Sequence, residues 1–277
     1  MHRHSSTYNE LILLGKWTSE KLDVLLHESS KIDDVGCRID SLSRHFLGTP
    51  YQESTLIGNM NTPEVLVINL EGVDCFTFLD YIESMRSSSS FHEFKENVKK
   101  VRYQKEGTVS FEKRNHFFTD WHEFNATRID DVTEEIGDGK VIRVKKLLNK
   151  KDGRTYFLPG IQPKERFIHY IPLNAIDDIM IKRLENGNYI GIYATEKGLD
   201  VSHVGIIIKE GDKIHLRHAS SLRRKVIDED FKSYILGKPG IVILRPKPLS
   251  IVSKIRDASL PLHGACPEAR SGQKGSA

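Results

Sequence analysis

The chain is poor in cysteine, in tryptophan and in long apolar runs. Its three cysteines, Cys37, Cys75 and Cys266, stand far apart in 277 residues. An odd, sparse set without a CxxC pair excludes a disulfide framework and a zinc knuckle. A chain this long buries enough core to need no covalent staples. The apolar run near the N-terminus, Leu11-Ile12-Leu13-Leu14, is too short for a signal-peptide core and far too short for a membrane span. An excess of one charge is lacking too. Against 41 basic residues stand 38 acidic ones, a net charge of +3, so nucleic-acid binding has little electrostatic support and none is expected.

What is there is ordinary globular composition, 38% hydrophobic and 29% charged. Residues 17–47 read as helical, with Ser19 a candidate cap, Leu22, Leu25 and Leu26 at helical spacing, and a second helix from Cys37 to Phe46. Glu64–Leu70 reads as a buried strand. The run VDCFTFLDYIESM then reads as a helix that the serines Ser87–Ser90 end, and Phe91–Tyr103 as another helix. Residues 104–175 carry an aromatic cluster, RNHFFTDW (Arg114–Trp121), and three prolines, Pro159, Pro163 and Pro172, which predict loops and short edge strands. Strands are expected at Tyr189–Tyr193, Val201–Lys209, Lys213–Ser220 and Ile241–Leu244. Helices first and strands later favour an α+β fold with an antiparallel sheet. One domain over residues 1–249 is expected, with residues 250–277 a disordered tail of small, polar and breaker residues.

Cys75 falls at the start of its helix, directly after Asp74, a suitable N-cap. Free N–H groups and partial positive charge at a helix N-terminus stabilise a thiolate, so the thiol is expected to have a lowered pKa, and the same groups can bind an oxyanion. Taken alone, such a cysteine is more often buried and inert. The segment VSHVGIIIKEGDKIHLRHASS changes that balance. A two-residue turn at Gly211-Asp212 places Glu210 opposite Lys213, His218 opposite Gly205 and His203 opposite Ser220. His203 and His218 then share a face as diagonal neighbours, with space left by Gly205, while His215 points to the other side. Such a pair can be packing, a metal site, or a base with the residue that orients it.

The blocks VDCFTF, SHVGIII and LRHAS resemble those of the NlpC/P60-type papain-like cysteine peptidases. More narrowly, FLGTPYQESTLIG, the run around Cys75, RNHFFTDW, IHYIP and LRHASS resemble the DUF1460 branch, described as N-acetylmuramoyl-L-alanine amidase-like. The resemblance spans roughly residues 10 to 248. It implies a papain-like fold in which the nucleophile-bearing helix packs on an antiparallel sheet, with family-specific insertions around residues 104–175. It implies Cys75 as nucleophile, His203 as base and His218 as the residue orienting it, with no metal and no cofactor. Tyr51 matches a tyrosine near the nucleophile and is a candidate oxyanion donor or a packing residue. Asp120 and Trp121 are candidates for substrate binding, the indole against a sugar face. Arg114 is a candidate for a peptide carboxylate, while Arg38 and Arg223-Arg224-Lys225 read as solvated charges. The expected partners are peptidoglycan fragments, small anhydro-muropeptides above all, and the resemblance suggests the periplasm or cell envelope. Alternatives are cleavage between D-glutamate and the diamino acid, a zinc hydrolase built on the same three residues, and an inactive muropeptide-binding module.

Overall fold

A computed structural model of the protein describes residues 10–248; the expected tail after residue 249 lies outside them. The helices are α1 (Ser19–Ser30), α2 (Val35–Arg44), α3 (Cys75–Arg86), α4 (Phe91–Arg102), α5 (Gln104–Gly107), α6 (Phe118–Phe124), α7 (Thr133–Gly137), α8 (Asp178–Arg183) and α9 (Phe231–Ile235). The strands are β1 (Glu10–Leu13), β2 (Ile57–Asn59), β3 (Thr62–Asn69), β4 (Ile129–Asp131), β5 (Ile142–Leu148), β6 (Lys164–Pro172), β7 (Tyr189–Tyr193), β8 (Val201–Glu210), β9 (Lys213–Ser220), β10 (Lys225–Asp230) and β11 (Gly240–Pro246).

The expected α+β class is present. Helices lead, and an eight-stranded sheet follows in the order β10-β9-β8-β7-β11-β6-β5, with β4 on β11; its recorded pairings are antiparallel. A smaller sheet, β1-β3-β2, holds β1 parallel to β3. Caps mark where helices start. Thr18, rather than Ser19, accepts from Lys21 N at 3.3 Å, Asp34 starts α2 and Ser90 starts α4.

The run Val204–Ile208 is buried because the central sheet is covered on both sides. On one face Val204, Ile206 and Ile208 pack with Leu42, Phe78 and Ile82 of the first helices. On the other, Ile207 and Leu216 pack with Met180, Phe231 and Ile235. Each such fully buried aliphatic side chain stabilises the fold by roughly 1.5–3 kcal/mol.

Residues 104–175 differ from the expectation of loops and short strands. β5 and β6 form a seven-pair ladder from Ile142↔Tyr170 to Leu148↔Lys164. The prolines are compatible with it because Pro163 precedes β6 and Pro172 ends it. Arg38 is buried rather than solvated, its Nη2 donating to Ser88 O at 3.0 Å.

Candidate functional site

Asp74 and Thr77 fix the start of α3. Asp74 Oδ1 accepts from Phe76 N at 3.0 Å and Thr77 N at 2.7 Å, and the Thr77 hydroxyl oxygen accepts from Asp74 N at 3.0 Å, a reciprocal capping box. The cap consumes two of the N–H groups expected for an oxyanion, so the Cys75 N–H is the helix-end donor it leaves.

Two buried ion pairs anchor the body of α3. Asp80 Oδ2 takes Arg102 Nε at 2.7 Å while its Oδ1 takes Trp121 Nε1 at 3.0 Å. Glu83 receives Arg86 at 2.6 and 2.7 Å and the Tyr189 hydroxyl at 2.9 Å. All of these side chains are essentially without exposed surface. Charges so buried tolerate little displacement, since a shift would leave one unpaired.

Opposite the helix end, β8 and β9 pair in the expected register from Glu210↔Lys213 to Ile206↔Arg217. Gly211, at φ 58°, supplies the left-handed first position of the connecting turn. The recorded ladder stops one pair short of His218, and beyond it the Val204 N–H is directed at the Cys75 thiol. A bulge at Ser202 shifts the β7–β8 register next to His203, from Ile192↔His203 to Tyr193↔Val201. His203 Nε2 and His218 Nδ1 are 2.7 Å apart. The space this requires is not the gift of Gly205, for a Cβ there would meet Leu216 and the Arg217 carbonyl.

His218 Nε2 lies 2.8 Å from Glu229 Oε2 on β10. Sequence reasoning missed Glu229, the middle of three consecutive acids on β10. It also missed Tyr234 of α9, whose ring centroid lies 4.9 Å from that of His218 and 6.1 Å from that of His203. A carboxylate only accepts, so His218 Nε2 donates to Glu229. The neutral His218 ring then accepts at Nδ1 from His203 Nε2, and His203 keeps a lone pair on Nδ1.

Electrostatics set the resting protonation. Burial pushes the Cys75 thiol up to about 12, and the Asp74 charge adds to it; the N–H groups of Val204, Cys75 and Phe76 pull downward and are outweighed. This reverses the lowered pKa expected from the helix end, because desolvation exceeds the dipole effect here. Burial pushes His203 down to about 3, with His218 and Lys238 acting the same way. His218 is lowered by burial against the pull of Glu229. At neutral pH the site therefore rests as thiol and neutral imidazoles.

Tyr51 is braced beside the helix start, its N donating to Arg224 O at 2.9 Å and Gln52 N donating to Val73 O at 3.0 Å. Burial raises its phenol pKa, with further contributions from Cys75 and Asp74. Arg224, expected to be free in solvent, stands over the Tyr51 ring at 5.0 Å.

Three expectations fail. Trp121 is fully buried, stacked on Phe118 and bonded to Asp80, so it offers no face to a sugar. Asp120 is 8% exposed and held by Arg166 and Lys164. Arg114 is bound to Glu64 at 3.0 and 2.5 Å, which leaves it no free fork for a peptide carboxylate. Cys75 is a free thiol.

Helices packed on an antiparallel sheet are the architecture of amidase-like proteins, and the comparisons place the protein among them. The chain belongs to the AmiA-like family, described as N-acetylmuramoyl-L-alanine amidase-like, which matches residues 41–241. Among solved structures it is similar to a Legionella pneumophila protein of the DUF1460 family, at 24% identity and a TM-score of 0.70, over 83% of this chain and 96% of that one. It is also similar to an N-acetylmuramoyl-L-alanine amidase from Bacteroides uniformis, at 25% identity and a TM-score of 0.63, over 77% and 100%. A putative xylanase from Bacteroides fragilis shares the fold at 24% identity and a TM-score of 0.59, over 74% and 99%. No curated protein matches the chain. No helix among the described residues is long and apolar enough to cross a membrane.

Proposed function

We propose that the protein is a cysteine amidase of the papain-like NlpC/P60 type that hydrolyses the N-acetylmuramoyl-L-alanine amide of peptidoglycan fragments, anhydro-muropeptides above all. The observation that carries this reading is the bonded series His203–His218–Glu229, whose first member adjoins Val204, the residue that directs its N–H at the Cys75 thiol. The series leaves a lone pair on His203 Nδ1 and fixes the direction in which a proton can move.

Because the resting thiol is protonated, attack is base-assisted. His203 Nδ1 takes the thiol proton as Sγ bonds to the amide carbonyl carbon. The Cys75 N–H, with the Tyr51 hydroxyl as a second donor, stabilises the oxyanion. The intermediate collapses, the C–N bond breaks, and His203 passes its proton to the departing amine of L-alanine. Water, deprotonated by His203, then attacks the thioester; the muramoyl carboxylic acid leaves and the thiol is restored.

A zinc site on the same side chains is disfavoured, because both nitrogens of His218 are already engaged, one by His203 and one by Glu229. The test is mass spectrometry of products from a defined anhydro-muropeptide. The expected products are the free sugar acid and the intact stem peptide. A cut between D-glutamate and the diamino acid would move the activity to the alternative bond. Binding without product would favour the non-catalytic reading, and full activity in Cys75→Ala would end the cysteine mechanism.

A further inference from the structure

The strand-to-helix corner that carries Glu229 brings a second group to the imidazole pair. β10 ends at Asp230, whose carboxylate starts α9 by accepting from Ser233 N at 2.8 Å. Phe231 and Ile235 are buried with Ile207 and Leu216 of the central sheet. They fix the roll of α9, because residues four apart share a helix face. Tyr234, three places after Phe231, is turned to the same side and stands half-buried. Its ring centroid lies 4.9 Å from that of His218, at 64°, and 6.1 Å from that of His203, at 42°. Both distances fall within the range of interacting ring pairs. Lys238 N donates to Ile235 O at 3.0 Å, and its ammonium nitrogen lies 5.3 Å from the centre of the Tyr234 ring.

The hydrogen bonds of the pair leave one freedom open. His218 is bonded at both nitrogens, to His203 and to Glu229, and both bonds lie in its ring plane. They set direction within that plane and do little against a tilt of the ring about the line that joins them. The two imidazoles stand at 88° to each other, so they do not brace one another face to face. Tyr234 adjoins both rings and supplies a wall. Its hydroxyl makes no hydrogen bond among the described residues. Burial raises the phenol pKa, with the charges of Glu229 and Cys75 adding to the rise, so the hydroxyl keeps its proton through the neutral range.

We infer that Tyr234 is a positioning residue of the proposed reaction: its ring braces the His203–His218 pair against tilting and closes that side of the pair to water. The inference rests on the amidase reading and assigns Tyr234 no contact with substrate. The charged groups around the pair are Glu229 and Asp228 of β10 and Lys238 beyond α9, with Cys75 of α3 within electrostatic reach of Tyr234. Lys238 lowers both imidazoles, Glu229 and Asp228 raise His218, and burial is the largest cause for each ring. Uncovering the pair therefore moves His203 upward, toward the ordinary value near 6.5.

The experiment separates ring from hydroxyl, and the histidines from turnover. Full-length wild-type protein, Tyr234→Phe, Tyr234→Leu and Tyr234→Ala are isotope-labelled in histidine, and the His203 ring is titrated by NMR, its signals assigned by their loss in His203→Gln. Tyr234→Ala is expected to raise the His203 midpoint by about 2 pH units, to bring an acid limb into kcat/KM near the new midpoint, and to lower kcat about tenfold with KM little changed. Tyr234→Phe, the conservative variant, should restore the wild-type titration and most of kcat. Tyr234→Leu fills the space without a flat ring and should fall between; it carries the test if the alanine variant does not fold. A phenylalanine variant as impaired as the alanine one would make the hydroxyl the working part and overturn the inference. So would a His203 titration unmoved in both the leucine and alanine variants. Amide cleavage that persists while the titration ignores Tyr234 removes the positioning role alone. No cleavage by any form, with a titration that follows the ring, removes the amidase reading and keeps the brace.

Discussion

His203 Nε2 stands 2.7 Å from His218 Nδ1, and the two rings meet edge to face at 88°. This contact ties the base to Glu229 on the next strand. Glu229 touches no reacting atom in the proposed mechanism and acts by fixing tautomers. Glu229→Ala should lower kcat by roughly 10- to 100-fold, a fraction of the ~10²–10⁴ that general-base catalysis supplies, with KM little changed. Glu229→Gln can still accept through its side-chain oxygen and should restore most of the loss. Steady-state kinetics on an anhydro-muropeptide decide it; equal losses in both variants would remove the positioning role.

The parts of this site written in local order were legible in the sequence. Asp74 and Cys75 are neighbours, and a cap is a local device. The histidine pair follows from strand alternation and one tight turn. Glu229 was hidden because it is the middle of three consecutive acids on β10, whose burial depends on β9 beside it. Trp121 was misread because its partner, Asp80, lies 41 positions away in sequence. The direction of the thiol shift was equally out of reach, since a helix end can be seen in sequence and desolvation cannot.

The protonation states predict an unusual pH response. With His203 near 3 and Cys75 near 12, kcat/KM should be flat from about pH 5 to pH 9. Inactivation by iodoacetamide should be slow at pH 7 and accelerate about tenfold per pH unit up to pH 10, following the thiolate fraction. An activity limb centred near 6.5, or an alkylation rate independent of pH above 7, would contradict a neutral resting pair.

Acid should destabilise the fold through its buried imidazoles. His116 bonds through Nε2 to the Phe111 carbonyl, and burial pushes it down to about 4; His203 falls to about 3. Both have an ordinary value near 6.5, so between about pH 3 and 6.5 the unfolded chain binds more protons than the folded one. Stability therefore rises with pH through that window, is complete above it, and is lost as pH falls. His116→Gln should flatten the pH dependence of Tm between pH 4 and 6.5. An unchanged slope would show that His116 is not a source.

The last prediction separates stability from substrate binding at the aromatic block. Trp121→Phe keeps most of the ring volume and removes the Nε1–H that bonds Asp80 Oδ1. Leaving that buried oxygen without its donor should cost about 1–3 kcal/mol, while KM stays within twofold, because the indole does not face the cleft. Asp80→Ala removes the partner of Arg102, whose guanidinium is buried and bonded to Val67 O at 2.6 Å. That variant should lose about 3–5 kcal/mol, and Asp80→Leu combined with Arg102→Met should recover much of it, since a buried pair replaced by apolar side chains leaves no charge unpaired. Urea unfolding of the variants measures the stabilities, and KM for an anhydro-muropeptide supplies the control. A KM that rises tenfold in Trp121→Phe without loss of stability would return the indole to the binding site and overturn its assignment to the core.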